Sequence, residues 1–115
     1  LPELLSLGSV SKNADPEKLE KSGMALFTQP GFKIPLARGC SAWAIFKKLP
    51  ETEELSKKYD LFLGQAVAAW GDERVYQNGR PDFEHAPKEM RTTHYVSGGR
   101  FFLLGEAVDV EPTAL

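Results

Sequence analysis

A chain of 115 residues is one domain's worth, too short for two cores of ordinary size. Lys+Arg 14 against Asp+Glu 16 gives a formal charge of −2, which argues against attachment to nucleic acid or anionic membrane by charge alone. A hydrophobic fraction of 42% with 26% charged residues excludes wholesale disorder.

The opening Leu1–Leu7 is short and apolar, either a helix end or a buried turn. Gly8-Ser9-Val10-Ser11-Lys12-Asn13 is a small, polar loop. Asp15 as N-cap, Pro16 at N1, Glu17 in the first turn and Gly23 past the end predict a two-turn helix over Asp15–Ser22. The period then changes to 2. Ser41–Lys48 sets Trp43 and Ile45 on one face and Ala42, Ala44 and Phe46 on the other, a strand expected to be covered on both sides. Glu51–Tyr59 is charged, with only Leu55 apolar in its middle, and reads as an exposed linker. Leu61–Trp70 is the strongest strand signal, and Gly64 within it predicts a bulge or a close backbone approach. Glu73–Gln77 enters a tight Asn78-Gly79 turn, stopped by Pro81. His85–Thr93 is polar and irregular, and Tyr95–Val96, Ser97-Gly98-Gly99 and a strand over Arg100–Val108 form a closing hairpin.

Chemistry-bearing patterns are sparse. No run approaches the roughly 20 apolar residues of a membrane helix, since Leu61–Leu63 and Ala66–Trp70 are separated by Gly64 and Gln65. The single Cys40 excludes an internal disulfide framework and a multi-cysteine zinc site, and fits a reducing compartment. The two histidines lie far apart, so no metal site is expected. No serine sits in a strand–turn–helix elbow, and Glu53-Glu54 reads as a solvated face. The Ser9–Asn13 loop has two readings: its hydroxyls, Lys12 and the following helix N–H groups hold a phosphate, or it merely precedes a capped helix. Asp15 and Glu17 favour the second. Gly98-Gly99 is a plain hairpin turn or a place where a ligand or chain comes close.

The order of these pieces is familiar as a whole. Gly8-Ser9-Val10-Ser11 leads to Glu17-Lys18-Leu19, then to the Ser41–Lys48 strand and a charged linker. Asp60-Leu61-Phe62-Leu63-Gly64-Gln65-Ala66-Val67 and Asn78-Gly79 follow, and His94-Tyr95-Val96-Ser97-Gly98-Gly99-Arg100-Phe101-Phe102-Leu103-Leu104-Gly105-Glu106 closes the chain. This resembles the C-terminal half of the flavin reductase-like, FMN-binding split-barrel family, which includes the flavoredoxins. The chain departs from the family pattern at Leu19, where an aromatic is usual, at Lys12, where glycine is common, and at Gln65, where glutamate is.

The resemblance implies a mainly β fold, an FMN-binding split β-barrel of Greek-key type, present here as a partial barrel with one short helix. Residues 1–115 would then be the C-terminal portion of a single flavin reductase-like domain, with the N-terminal half lying outside it; Leu1 in place of a starting Met fits either a removed start or a longer chain. The implied activity is electron transfer between NAD(P)H and FMN, serving a partner monooxygenase, in a cytoplasmic homodimer. The alternatives are a non-catalytic flavoredoxin-like electron carrier and a cofactor-free β-barrel dimerisation module. Ser9, Ser11 and Lys12 are the residues expected at the FMN phosphate or ribityl chain, with Lys18 a second candidate on the helix. His94 is the candidate for a flavin carbonyl or the nicotinamide, and Tyr95, on the opposite face of the same strand, is expected in the core.

Overall fold

Eight short strands pair two by two in the computed structural model, which describes residues 1–114. In chain order the elements are α1 (Pro2–Ser9), α2 (Lys18–Lys21), β1 (Leu26–Phe27), β2 (Leu36–Ala37) and β3 (Ala42–Lys48). They continue with α3 (Glu53–Tyr59), β4 (Gly64–Gly71), β5 (Tyr76–Gln77), β6 (Arg80–Pro81), β7 (Thr93–Ser97) and β8 (Arg100–Leu103). Single 3-10 turns occupy Pro50–Thr52 and Lys88–Met90. The pairs β1–β2, β3–β4, β5–β6 and β7–β8 are all antiparallel, and the described residues form no closed barrel.

The β3–β4 ribbon is the longest pairing, and Trp43 faces Trp70 across it. Each indole meets a phenyl ring at right angles: Phe27 and Trp43 lie 5.3 Å apart between centroids with 86° between planes, and Phe32 and Trp70 have the same distance and angle. Edge-to-face contacts place the positive ring rim on the negative face, adding to area burial. Trp43 also donates its Nε1–H to the carbonyl of Ala37 at 2.6 Å, which ties β2 to β3. The register slips between Ile45 and Phe46, leaving Val67 unpaired as a bulge in β4. Gly64 does mark a close approach, because a Cβ there would meet the Phe46 Cβ at 3.1 Å and the Lys47 carbonyl oxygen at 3.4 Å.

Five expectations need correction. The ribbon is covered on one face only: Ile45 is buried and Trp43 partly so, while Ala42, Ala44 and Phe46 are exposed. The Leu61–Trp70 strand begins at Gly64, and the Arg100–Val108 strand ends at Leu103 where its partner β7 runs out. The Asp15–Ser22 helix shrinks to the single α-helical turn α2, although Asp15 does accept the Glu17 N–H at 3.1 Å as a cap would. Glu51–Tyr59 is a 3-10 turn and a helix, so the chain has three short α-helices where one was expected. Its helicity comes from charge and propensity, since Glu53 and Glu54 open it and Lys57 and Lys58 close it, each at the favourable end of the helix dipole. An apolar-period reading is blind to such a helix.

The small core adjoins the end of the ribbon, where the Tyr76 ring lies against Gly71 of β4. Val75, fully buried, packs with Ala86 and Met90 under Tyr76 and Phe83. Asp72 organises the turn that delivers Val75, its backbone carbonyl accepting from the amides of Val75 and Tyr76 at 2.9 Å. Its carboxylate takes both the Arg74 backbone amide and the Arg74 guanidinium, with contacts of 2.8–2.9 Å. Asn78 and Gly79 then turn the β5–β6 hairpin with φ of 51° and 75°, as the Asn-Gly pair predicts.

The Arg74 guanidinium beside Asp72, helped by the Arg74 amide, holds that carboxyl down at about 2, below its ordinary 3.8. A depressed folded value means the Asp72 contribution is present above pH 3.8 and is lost as pH falls through about 2. Carbon-detected titration of Asp72 is expected to show that low midpoint, and Arg74→Met to return it towards 3.8. Separately, Trp43→Phe keeps an aromatic against Phe27 but removes the bond to Ala37. It is expected to lower unfolding free energy by about 1 kcal/mol in urea titrations.

Candidate functional site

Helix α1 and the β7–β8 hairpin meet to form an apolar concavity. The hairpin turns on Gly98 and Gly99, whose φ values of 57° and 80° are left-handed and suit glycine. Gly99 is also a contact point, because a Cβ there would lie 3.3 Å from the Leu5 side chain of α1. The turn reading of the pair therefore holds, and what comes close to Gly99 is α1 of the same chain. An apolar pocket of about 320 Å³ opens beside this contact, lined by Leu4, Leu5, Gly8, Ser9, Tyr95 and Phe101. Its aromatic wall is the Tyr95–Phe101 pair, cross-strand neighbours with ring centroids 5.1 Å apart and planes tilted by 51°. A volume near the lower bound for small-molecule sites, an apolar lining and two rings suit a flat, partly enclosed ligand.

The candidate residues divide into three groups. Ser9 lines the pocket, but its hydroxyl donates to the Ser6 carbonyl at 2.8 Å, closing the end of α1. Ser11 accepts the Ala14 amide on its hydroxyl oxygen at 3.1 Å, leaving its own proton to donate outward. Lys12 is exposed and its ammonium has no partner among the described residues. Lys18 is engaged: its ammonium donates to the carbonyls of Leu7 at 2.8 Å and Val10 at 2.6 Å. Those carbonyls are left over at the C-terminal end of α1, where a cation is favoured by the helix dipole. Lys18 thus ties α2 to α1 and holds Ser9 at the pocket lip.

The amides that follow the loop are occupied: those of Ala14 and Asp15 donate to the Ser11 carbonyl, Glu17 to the Asp15 carboxylate and Lys18 to the Asp15 carbonyl, at 3.0–3.2 Å. The donors that an anion would meet are those of the loop itself, the Lys12 ammonium and the Ser11 hydroxyl among them. Asp15 is also paired with Lys21 at 3.0 Å, which holds its carboxyl below the ordinary range and partly neutralises it.

His94 lies across the hairpin from this pocket. Strand alternation turns it away from Tyr95 into a second, open groove of about 390 Å³ with Thr92, Thr93, Phe102, Leu103 and Leu104. Tyr95 is half exposed at the pocket wall, a correction to its expected place in the core. The remaining histidine, His85, sits on the surface with its Nδ1 2.8 Å from Asp82, which raises its pKa above the ordinary value. Sequence reasoning missed Leu4 and Leu5 as pocket residues. Their spacing on α1 was the available signal, but nothing local says that the hairpin lies opposite.

Among the described residues, no group of three or more His, Cys, Asp or Glu side chains gathers as a metal site. No helix there is long and apolar enough to cross a membrane.

No family model matches the sequence. The chain is 33% identical over 104 residues to the uncharacterized protein YddH of Escherichia coli (strain K12), a match covering 90% of this chain and 53% of that protein. Among solved structures it is similar to an FMN-binding domain of a flavin reductases-like enzyme from Shewanella baltica OS155. That similarity has a TM-score of 0.88 at 35% identity, over 96% of this chain and 57% of the other. The chain therefore spans little more than half the length of either relative.

Lys18→Met is expected to fray α1 at its C-terminal end. Amide exchange of Gly8 and Ser9 should rise about tenfold, the consequence of losing a charged bond of about 1.5–3 kcal/mol. Lys12→Met is the control and should leave those amides unchanged.

Proposed function

We propose, on the premise that the chain is kin to the flavin reductase-like FMN-binding domains, that it is the C-terminal portion of an FMN-binding oxidoreductase domain of split-barrel type. The observation that carries this reading is the 0.88 TM-score at 35% identity over 96% of the chain, to a domain described as FMN-binding. The order of motifs from Gly8-Ser9 to Gly98-Gly99 supports its placement in the C-terminal half.

The site's chemistry fits the cofactor. The apolar pocket with its Tyr95–Phe101 wall offers an enclosed surface for a planar ring, and Ser9 sits at its lip. Lys12 and the Ser11 hydroxyl are the donors suited to the phosphate, while Lys18 keeps α1 in position through its two carbonyl bonds. FMN when bound supplies the hydride chemistry, so the chain needs no nucleophile or acid–base pair of its own. The protein's part is to bind, to orient and to exclude water from the ring.

NAD(P)H is the proposed reductant; its nicotinamide must stack on the flavin ring, so a ring held against Tyr95 and Phe101 keeps it away from His94, which opens on the other face of the hairpin. A cytoplasmic homodimer that serves a monooxygenase is the proposed setting. The sparse apolar burial of the chain supports association of some kind, with only five apolar side chains buried.

Titration with FMN and with riboflavin, followed by quenching of flavin fluorescence, tests the phosphate side. The native chain is expected to prefer FMN, and Lys12→Met to weaken FMN by about 1.5–3 kcal/mol while leaving riboflavin unchanged. Equal losses for both ligands, or none, would return Lys12 to the solvated surface. His94→Ala is expected to leave both FMN affinity and NAD(P)H oxidation unchanged, and slowed oxidation would move the ring to the His94 face of the hairpin. Flavin binding with no NAD(P)H oxidation in the native protein would identify an electron carrier instead, and no flavin binding a cofactor-free module.

A further inference from the structure

The flavin reading leaves one face of the β7–β8 hairpin without a task. Tyr95 and Phe101 line the pocket beside α1, and alternation turns their neighbours the other way. His94 and Phe102 stand directly opposite each other in the register, so their side chains share this second face. With Thr92, Thr93 and Leu104 they line the open groove of about 390 Å³. Phe102 is 55% exposed. The exposed His94 ring has no hydrogen-bond partner among the described residues, whereas His85 is held by Asp82.

Charge on this face is one-sided. From Arg91 to Gly105 the chain has no Asp or Glu, and it carries Arg91, His94 and Arg100. The flanking acids Glu89 and Glu106 line other concavities. Neither guanidinium forms an ion pair among the described residues, whereas that of Arg74 is held by Asp72. Arg100 lies over the Phe102 ring instead, its guanidinium carbon 5.6 Å from the ring centroid. A guanidinium seated on a ring keeps its in-plane N–H fork for a carboxylate or phosphate. Arg91 donates to the Leu104 carbonyl at 3.3 Å, and its Nε is buried without a partner. That donor adds a second positive centre behind the groove.

The parts say what the groove recognises. Phe102 and the His94 imidazole offer flat surfaces to a planar ring, and the Thr92 and Thr93 hydroxyls offer polar contacts at its edge. Arg100 offers the anion fork. An uncharged aromatic would leave the guanidinium unmatched, and a bare inorganic anion would leave Phe102 in water. Both features together select a ring and an anion in one molecule.

We propose that the outer groove of the β7–β8 hairpin binds a planar aromatic ring that carries a phosphate or a carboxylate, with the ring on His94 and Phe102 and the anion on Arg100. The site lies on the opposite face of the hairpin from the Tyr95–Phe101 pocket and does not depend on flavin binding.

NMR of the His94 and Phe102 ring signals during titration of the protein reads the groove directly. The probes are adenosine monophosphate and benzoate, each beside its uncharged counterpart, adenosine and benzamide. Both ring signals are expected to shift with the charged probes at millimolar concentration, and the uncharged probes to bind about tenfold more weakly. Whichever charged probe binds tighter identifies the source as a nucleoside phosphate or an aromatic acid. Arg100→Met should remove the tenfold advantage, and Arg100→Lys should restore only part of it, because an ammonium has no fork. Unchanged methyl signals of Val75 and Met90 report an intact core in both variants. Stoichiometric FMN should leave the titrations unaltered. In a chain that binds no FMN the probes should move the same signals, which separates this site from the flavin reading. Displacement of the probes by FMN, equal binding of charged and uncharged probes, an Arg100→Met protein that binds as the native one does, or ring signals that never move would overturn the proposal.

Discussion

The register that sets Trp43 opposite Trp70 is the constraint on which the segment from β1 to β4 depends. Each of these indoles meets one phenyl ring from the segment before β3. The Trp43 bond to the Ala37 carbonyl adds a directional tie to what is otherwise area burial. Because Phe27 and Phe32 both dock on this face, the segment between α2 and β3 has a defined path despite having only two-residue strands. Moving the register by one residue would carry both indoles to the opposite face and release both phenyl rings.

A different principle holds the site end together. There, little apolar area is buried, and the anchor is the Lys18 ammonium on two carbonyls at the end of α1. That bond sets where α1 lies, the contact of Leu5 with Gly99 sets how near the hairpin comes, and the space between becomes the pocket. A helix lysine that reads as a ligand candidate is part of the frame. Lys12, six residues earlier and exposed, keeps the role of anion donor open to a side chain without a structural commitment.

Such a division suits a site whose chemistry belongs to a cofactor. The protein surface needs an apolar wall, a lip with hydroxyls and a cation within reach, and these can be assembled from a helix end and a hairpin. None of them requires the tight constellation of side chains that makes hydrolytic or metal sites easy to find in a sequence.

By itself the sequence determined the features whose cause is local. Alternation from Ser41 to Lys48 placed β3, Asn78-Gly79 and Gly98-Gly99 placed two hairpin turns, and Asp15 capped the turn before α2. The order of these pieces carried the kinship to flavin reductase-like domains, and alternation alone separated His94 from Tyr95. Helix α3 was equally local, written in Glu53, Glu54, Lys57 and Lys58, but in charge instead of apolar period. What only the tertiary structure decided was whatever depends on a partner distant in the chain. Periodicity reports which side chains share a face and is silent on what lies opposite that face. Hence the Ala42–Ala44–Phe46 face could be read as apolar but not as bare, Lys18 as cationic but not as bound to α1, and Leu4 and Leu5 as apolar but not as walls of a pocket with Tyr95 and Phe101.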